Sequence, residues 1–190
     1  MRRIVFDIET KNWFDESGSQ KPVSLDLALV GVYDSAADSY ESFLEEELDR
    51  LWPLLEHADV LVGFNSEHFD IPILNKYYPG DLTTIKSIDL MKEAQAVLGR
   101  RLSLDNLAQN TLGRGKIAHG LDATKWWAQG EIDKIREYCI DDVRLTNELF
   151  GYALTHGHWK YRDRDGVREL AIDTSTWQEG GYSVTHTLRF

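Results

Sequence analysis

Residues 2–10 read Arg-Arg-Ile-Val-Phe-Asp-Ile-Glu-Thr. Ile4, Phe6 and Ile8 alternate with Val5, Asp7 and Glu9, the period of a β-strand. Asp7 and Glu9 therefore share a face, with Cα atoms roughly 6.6 Å apart. Two acids on the inner face of an otherwise apolar strand are costly unless a cation neutralises them. Taken alone, Asp-x-Glu is better read as a solvated outer face. The choice depends on what the rest of the chain brings to it.

Downstream, residues 11–22 are polar with Gly and Pro and read as a loop. Leu25–Tyr33 is apolar on both faces, as in a strand internal to a sheet. Residues 34–38 form a turn and 39–44 a third, shorter strand, completing an antiparallel meander. Residues 45–57 carry Leu48, Leu51, Trp52 and Leu55 at helical spacing, with acids in the first turn where the helix dipole favours them. Pro53 predicts that this helix starts late or kinks. Residues 59–65 are a buried fourth strand, 70–78 a helix and 85–90 a fifth strand. The chain is then helical to about His156, with breaks at Gly99, Gly113–Gly120 and Gly130. This order predicts a mixed α/β sheet of about five strands, the first three antiparallel, with helices on both faces.

The totals agree with a soluble globular chain. It has 190 residues, 42% hydrophobic and 28% charged, enough for one domain with a sizeable core. No apolar run approaches the ~18–20 residues that cross a bilayer. The first ten residues are too short in apolar character, and too acidic, for a signal peptide. The single cysteine, Cys139, excludes an internal disulfide and a cysteine-based zinc cluster. A cytoplasmic location is expected. The net charge of −11 argues against a chain coated by nucleic acid. It leaves room for a nucleic-acid enzyme, because metal sites need acids. Gly99–Lys116 is a local exception, with Arg100, Arg101, Arg114 and Lys116 against Asp105.

Two further segments carry acids of interest. Asp70, in Gly63-Phe64-Asn65-Ser66-Glu67-His68-Phe69-Asp70-Ile71-Pro72, follows a buried strand and opens a helix. Its plain reading is an N-cap, with Pro72 in the first turn; a metal-facing role is compatible with that. In Tyr138-Cys139-Ile140-Asp141-Asp142, Tyr138 and Asp142 lie one helical turn apart on one face. Asp141 competes for the same role, and the spacing favours Asp142. Four acids and a phenol thus recur in an order that a sheet-and-helix fold can gather. Oxygen ligands suit Mg²⁺ or Mn²⁺ rather than zinc, and two such ions can activate a water on a phosphodiester.

These segments resemble the three motifs of the DEDD (DnaQ-like) 3′→5′ exonuclease superfamily. Phe6-Asp7-Ile8-Glu9-Thr10 is similar to the first, Gly63-Phe64-Asn65-x-x-x-Phe69-Asp70 to the second, and Tyr138-x-x-x-Asp142 to the third in its tyrosine-bearing (DEDDy) form. Ser87-Ile88-Asp89-Leu90 and Ser103-Leu104-Asp105-Asn106-Leu107-Ala108 resemble the proofreading domains of family B DNA polymerases. The resemblance covers about residues 3–150. It implies a ribonuclease H-like fold and a stand-alone exonuclease releasing nucleoside monophosphates from 3′ ends. Single-stranded DNA is the preferred substrate. The alternatives are RNA 3′ ends or, more remotely, a non-catalytic scaffold. It also implies that Asp7, Glu9, Asp70 and Asp142 hold two divalent cations, Mg²⁺ or Mn²⁺. Tyr138 would orient the attacking water, since a free phenol near pKa 10 is a poor base at neutrality. Thr10 and Asn65 would sit near the terminal nucleotide, and Phe69 would stack on a base or pack in the core.

Arg100, Arg101, Arg114, Lys116 and Lys125 are candidate phosphate contacts, with solvated charge as the equal alternative. Trp126-Trp127 offers either base stacking or core packing. His156, His158 and His186 make no convincing metal set. From Trp159 the chain changes character. Asp165-Gly166 predicts a two-residue hairpin turn that opposes Asp163 to Arg168, Arg162 to Glu169, Tyr161 to Leu170 and Trp159 to Ile172. The expected organisation is an exonuclease domain over 1–156 and a hairpin appendage over 157–190, the latter a candidate surface for a partner or homodimer.

Overall fold

The structure, a computed structural model, describes residues 1–14, 21–118 and 120–179. Strands β1 (Arg3–Thr10), β2 (Leu27–Asp34), β3 (Ser39–Leu44), β4 (Val60–Gly63) and β5 (Ser87–Asp89) form one sheet in the order β3-β2-β1-β4-β5. β1–β2 and β2–β3 are antiparallel; β1–β4 and β4–β5 are parallel. The helices are α1 (Leu48–Glu56), α2 (Asp70–Leu74), α3 (Leu90–Leu98), α4 (Leu104–Leu112), α5 (Gly120–Gln129) and α6 (Ile132–His156). The mixed five-stranded sheet with helices on both faces is the architecture that the alternation of elements predicts.

The two faces of β1 feed two cores. Ile4, Phe6 and Ile8 pack with Leu51, Leu55, Ile71 and Leu74 of α1 and α2. Val5, on the other face, packs with Leu104, Leu107, Val143 and Leu149 of α4 and α6. Asp7 and Glu9 share the Val5 face, so they lie under α6. Gly31, opposite Asp7 on β2, is what lets α6 come close: a Cβ there would lie 2.9 Å from Cys139 Sγ.

The first helix behaves as Pro53 predicts, and two other elements depart from expectation. The first helix does start late: Glu45–Glu47 is a 3₁₀ turn and α1 begins at Leu48, with Pro53 inside it. α2 ends at Leu74 rather than Tyr78, and the Tyr77 and Tyr78 N–H groups close turns on the Leu74 carbonyl.

The hairpin, β6 (His158–Asp163) and β7 (Gly166–Ala171), forms, but two residues out of the predicted register. Its turn is Arg164-Asp165, so Asp163 faces Gly166, Tyr161 faces Arg168, Lys160 faces Glu169 and Trp159 faces Leu170. Asp163 holds the turn by accepting from the Asp165 N–H at 2.9 Å, and Gly166 takes a φ of 129° that suits glycine. Gly166 therefore follows the turn instead of forming half of it. The Asp163–Arg168 ion pair survives as a diagonal contact at 2.7 Å.

The hairpin is not peripheral to the core. Trp159, Tyr161, Leu170, Ile172 and Trp177 join the α4–α6 cluster. Trp177 stacks on Phe150 at 5.0 Å between ring centroids. Residues 15–20 of the expected 11–22 loop, His119 and residues from 180 on, with His186, lie outside the described residues.

Candidate active site

The site opens where β1 loses a neighbour. β4 pairs with β1 only through Arg3–Val5, so beyond Val5 that side of β1 is free. Helix α2 enters there. Asp70 does not cap it: Phe69 occupies the cap position, and Asp70 Oδ1 instead accepts the Ile8 N–H at 3.1 Å. On the opposite side, the β1–β2 register shifts between Glu9 and Thr10, a bulge at the rim of the site.

Asp7, Glu9, Thr10, Asn65, Phe69, Asp70, Arg101, Lys116, Tyr138 and Asp142 all line one cavity of about 340 Å³. That volume is in the range of small-ligand sites. Of the two neighbouring acids on α6, Asp142 faces the cavity, whereas Asp141 bonds Arg114 at 3.2 Å.

The electrostatics are those of a site that wants a cation. Burial, then the charge of Asp142, raises Asp7 to a pKa of about 8, although Lys116 pulls it down. Burial and the neighbouring carboxylates push Glu9 and Asp70 well above the usual range. Asp142 is also raised by burial, against the pull of Lys116. Lys116 Nζ lies 2.5 Å from Asp142 Oδ2 and 4.9 Å from the centre of the Tyr138 ring. Burial pulls its ammonium down, but Asp142, Asp7 and Glu9 outweigh this and hold it above its ordinary value. Burial, then Asp142, Glu9 and Asp7, raise the Tyr138 phenol, which therefore stays protonated.

The other expected contacts divide. Arg101 bonds Asn65 Oδ1 in the cavity, but Arg100 turns away and lies over the Tyr161 ring at 5.7 Å. Arg114 is engaged by Asp141 and Glu148, and Lys125 by Asp122. The basic patch read from 99–116 is thus dispersed, because its charges alternate around loops and helix ends. Trp126 packs edge-on to Tyr138 and Lys11 sits over Trp127, so the tryptophan pair supports the α6 side of the site.

Four cavity-lining side chains were not legible: Trp13, Phe14, Phe64 and His68. Phe14 meets Phe69 edge-on at 6.3 Å, making an aromatic wall opposite the acids. Asp89 was also not singled out as a site residue. It accepts the N–H groups of Asn65 and Glu67 at 2.7 and 3.2 Å and so holds Asn65 in its left-handed conformation, φ 64°.

A family model of the RNase_H superfamily matches residues 4–154, the stretch that contains the five-stranded sheet except Arg3 and every one of these acids. The chain belongs to the RNase_H superfamily. Its fold is similar to that of the family B DNA polymerase from the hyperthermophilic archaeon Pyrobaculum calidifontis, with a TM-score of 0.62 and 21% identity. That match covers 81% of this chain and 24% of the polymerase, so the chain spans about a quarter of its length. No curated protein matches the sequence significantly.

An RNase H-type nuclease fold implies a nucleic-acid substrate and, generally, divalent metals. The residues present fit such ions. Ligand atoms of Asp7, Glu9 and Cys139 lie within 4.8 Å of one another, and the buried Asp142 Oδ1 lacks a hydrogen-bond partner. Lys116 offsets part of the negative charge of this cluster. None of the described helices is long and apolar enough to cross a membrane.

The raised carboxylates predict an unusual pH dependence of stability. Metal-free, folded Asp7 keeps its proton to about pH 8, whereas an unfolded Asp loses it near 3.8. The stability this contributes is full below the lower value and is lost as pH rises through the upper one. In EDTA, the melting temperature should fall by several degrees between about pH 5 and 9, at roughly 2–4 °C per kcal/mol for this length. Mn²⁺ should remove the fall. A melting temperature that is flat across this range in EDTA would contradict the assignment.

Proposed function

We propose that this RNase_H-superfamily chain is a metal-dependent 3′→5′ exonuclease of the DEDDy type. It hydrolyses the terminal phosphodiester of single-stranded DNA and releases nucleoside monophosphates. The observation that carries this is the convergence of Asp7, Glu9, Asp70, Asp142 and Tyr138, from one strand and two helices, on one cavity. In this reading the four carboxylates hold two divalent cations, Mg²⁺ or Mn²⁺. When bound, these supply Lewis acidity and a water of lowered pKa.

The chain's own groups do the rest. The protonated Tyr138 phenol orients the attacking water by hydrogen bonding; because it holds its proton, it cannot take one from that water. Lys116 offsets the charge of Asp142 and keeps α6 and the loop before α5 together. The wall of Phe14, Phe69 and Trp13 receives the terminal base, since aromatic stacking tolerates every base. Asn65 and Arg101 border the sugar–phosphate. Water adds to phosphorus, the bond from phosphorus to the 3′ oxygen of the upstream nucleotide breaks, and that oxygen takes up a proton. Residues 1–156 carry this chemistry and the hairpin packs on them.

The test is a time course on single-stranded DNA and matched RNA, each labelled at the 5′ end, with Mg²⁺, Mn²⁺ or EDTA. The expected result is a metal-dependent ladder that shortens from the 3′ end, faster on DNA. Faster shortening of RNA would reassign the substrate, and internal cuts or an inert folded protein would overturn the exonuclease reading.

A further inference from the structure

A second cavity, of about 700 Å³, lies between the loop before α4 and the tip of the hairpin, lined by Arg100, Arg162, Asp163, Arg164 and Asp165. It has no part in the carboxylate cluster. Its charge balance is unlike that of the chain as a whole, whose net charge is −11. Both of its acids are already engaged, because Arg168 lies 2.7 Å from Asp163 and 2.9 Å from Asp165. Among the described residues, the guanidinium groups of Arg100, Arg162 and Arg164 have no ion-pair partner. Arg100 lines the cavity with its guanidinium 5.7 Å from the centre of the Tyr161 ring; it attracts Asp163 through space but forms no ion pair with it among the described residues. Three arginines gathered this way repel one another, and an anion relieves that repulsion.

The cavity is tied to the catalytic one by two short links. Arg100 and Arg101 are adjacent in the chain, about 3.8 Å apart at Cα, and Arg101 lines the carboxylate cavity. Helix α4 carries the second link. Asp105 accepts the backbone N–H of Lys116 at 2.9 Å. The next residue, Asn106, bonds the Arg162 backbone twice, at 2.9 and 2.8 Å. Thr111 pairs with the Lys160 backbone at 2.9 and 2.8 Å. One helix thus fixes the Lys116 loop and the hairpin tip relative to each other.

We propose that this arginine cavity is a backbone-binding subsite for the single strand upstream of the 3′ terminus. It rests on the exonuclease reading of the neighbouring cavity. The ligand chemistry is a phosphodiester backbone: guanidinium forks bind phosphate oxygens in pairs, and the contacts read no bases. The hairpin lengthens the footprint of a site that otherwise holds little more than the terminal nucleotide.

The test compares the wild type with Arg162→Gln/Arg164→Gln and with Arg162→Lys/Arg164→Lys. In EDTA, anisotropy of a labelled decathymidylate is followed against salt. Losing two phosphate contacts should lower the slope of log affinity against log salt by about 1.4. The lysine pair should keep most of the wild-type slope, which a merely structural role for the hairpin would not produce. With Mn²⁺, kcat/KM should rise from dinucleotide to decanucleotide in the wild type. That gain should shrink about fivefold in the glutamine pair. An unchanged salt slope, or no length gain in an active wild type, overturns this subsite alone. If the wild type binds the strand with the predicted slope change but cleaves nothing, the exonuclease reading fails while the binding surface stands.

Discussion

Asp7→Asn should reduce exonuclease turnover at least ~10³-fold, the scale on which loss of preorganised electrostatic stabilisation is felt. It should also make the metal-free protein more stable. The two effects share one cause. Asp7 sits mid-strand in the central strand of the sheet, under α6, with Cys139 Sγ 3.4 Å from its carbonyl oxygen. Its carboxylate is held near a pKa of about 8 by burial and by Asp142. Ionising it there is costly, and a neutral amide of the same shape removes that cost. The measurement pairs the 3′-shortening assay with thermal melts in EDTA and in Mn²⁺. The variant should melt higher than wild type in EDTA at pH 8 and gain little from Mn²⁺. Retained turnover, or a melting temperature that drops, would remove Asp7 from the centre of the site.

Trp159→Ala should destabilise the protein by about 3–5 kcal/mol, the range for truncating a fully buried tryptophan, and so lower its melting temperature by roughly 10 °C. Trp159 is completely buried, and its indole N–H donates to the Leu149 carbonyl at 2.8 Å on α6. Its ring lies 6.0 Å from Trp177 in the same core as Val143 and Phe150. Trp159→Phe keeps most of the bulk and loses only the bond, for about 1–2 kcal/mol. Calorimetry on both separates packing from hydrogen bonding. A loss under 2 °C for the alanine variant would mean that the hairpin is an ornament on an independent core.

The shared placement of Asp7 and Glu9 was readable because a strand exposes its faces with period two. Asp7 and Glu9 had to share a side, but the strand alone did not tell a buried face from a solvated one; the packing of Val5 under α4 and α6 decides it. The choice between Asp141 and Asp142 followed equally from helical spacing. Lys116 was read as a phosphate contact because a loop lysine gives no sign of direction; its place beside Asp142 depends on Asp105 holding its backbone. Arg100 and Arg101 are neighbours that go to different cavities, a distinction that no periodicity encodes in a loop. Trp13 and Phe14 belong to a polar stretch that reads as ordinary linker. The hairpin register failed by two residues because several charge and apolar pairings fit Asp165-Gly166, while the burial of Trp159 against Leu170 selects the real one.

The Ile8–Asp70 contact makes one carboxylate a surrogate for a missing strand. Where β4 stops, the amide of β1 would face empty space, and an acid from a helix completes the ladder. The sheet is therefore finished by the same side chain that would grip an ion, and architecture and reactivity are not separable at that atom. An alanine at this position would report a broken sheet and a lost ligand as one number. Asparagine keeps the acceptor for Ile8 and discards only the charge, so it is the substitution that can tell scaffolding from chemistry.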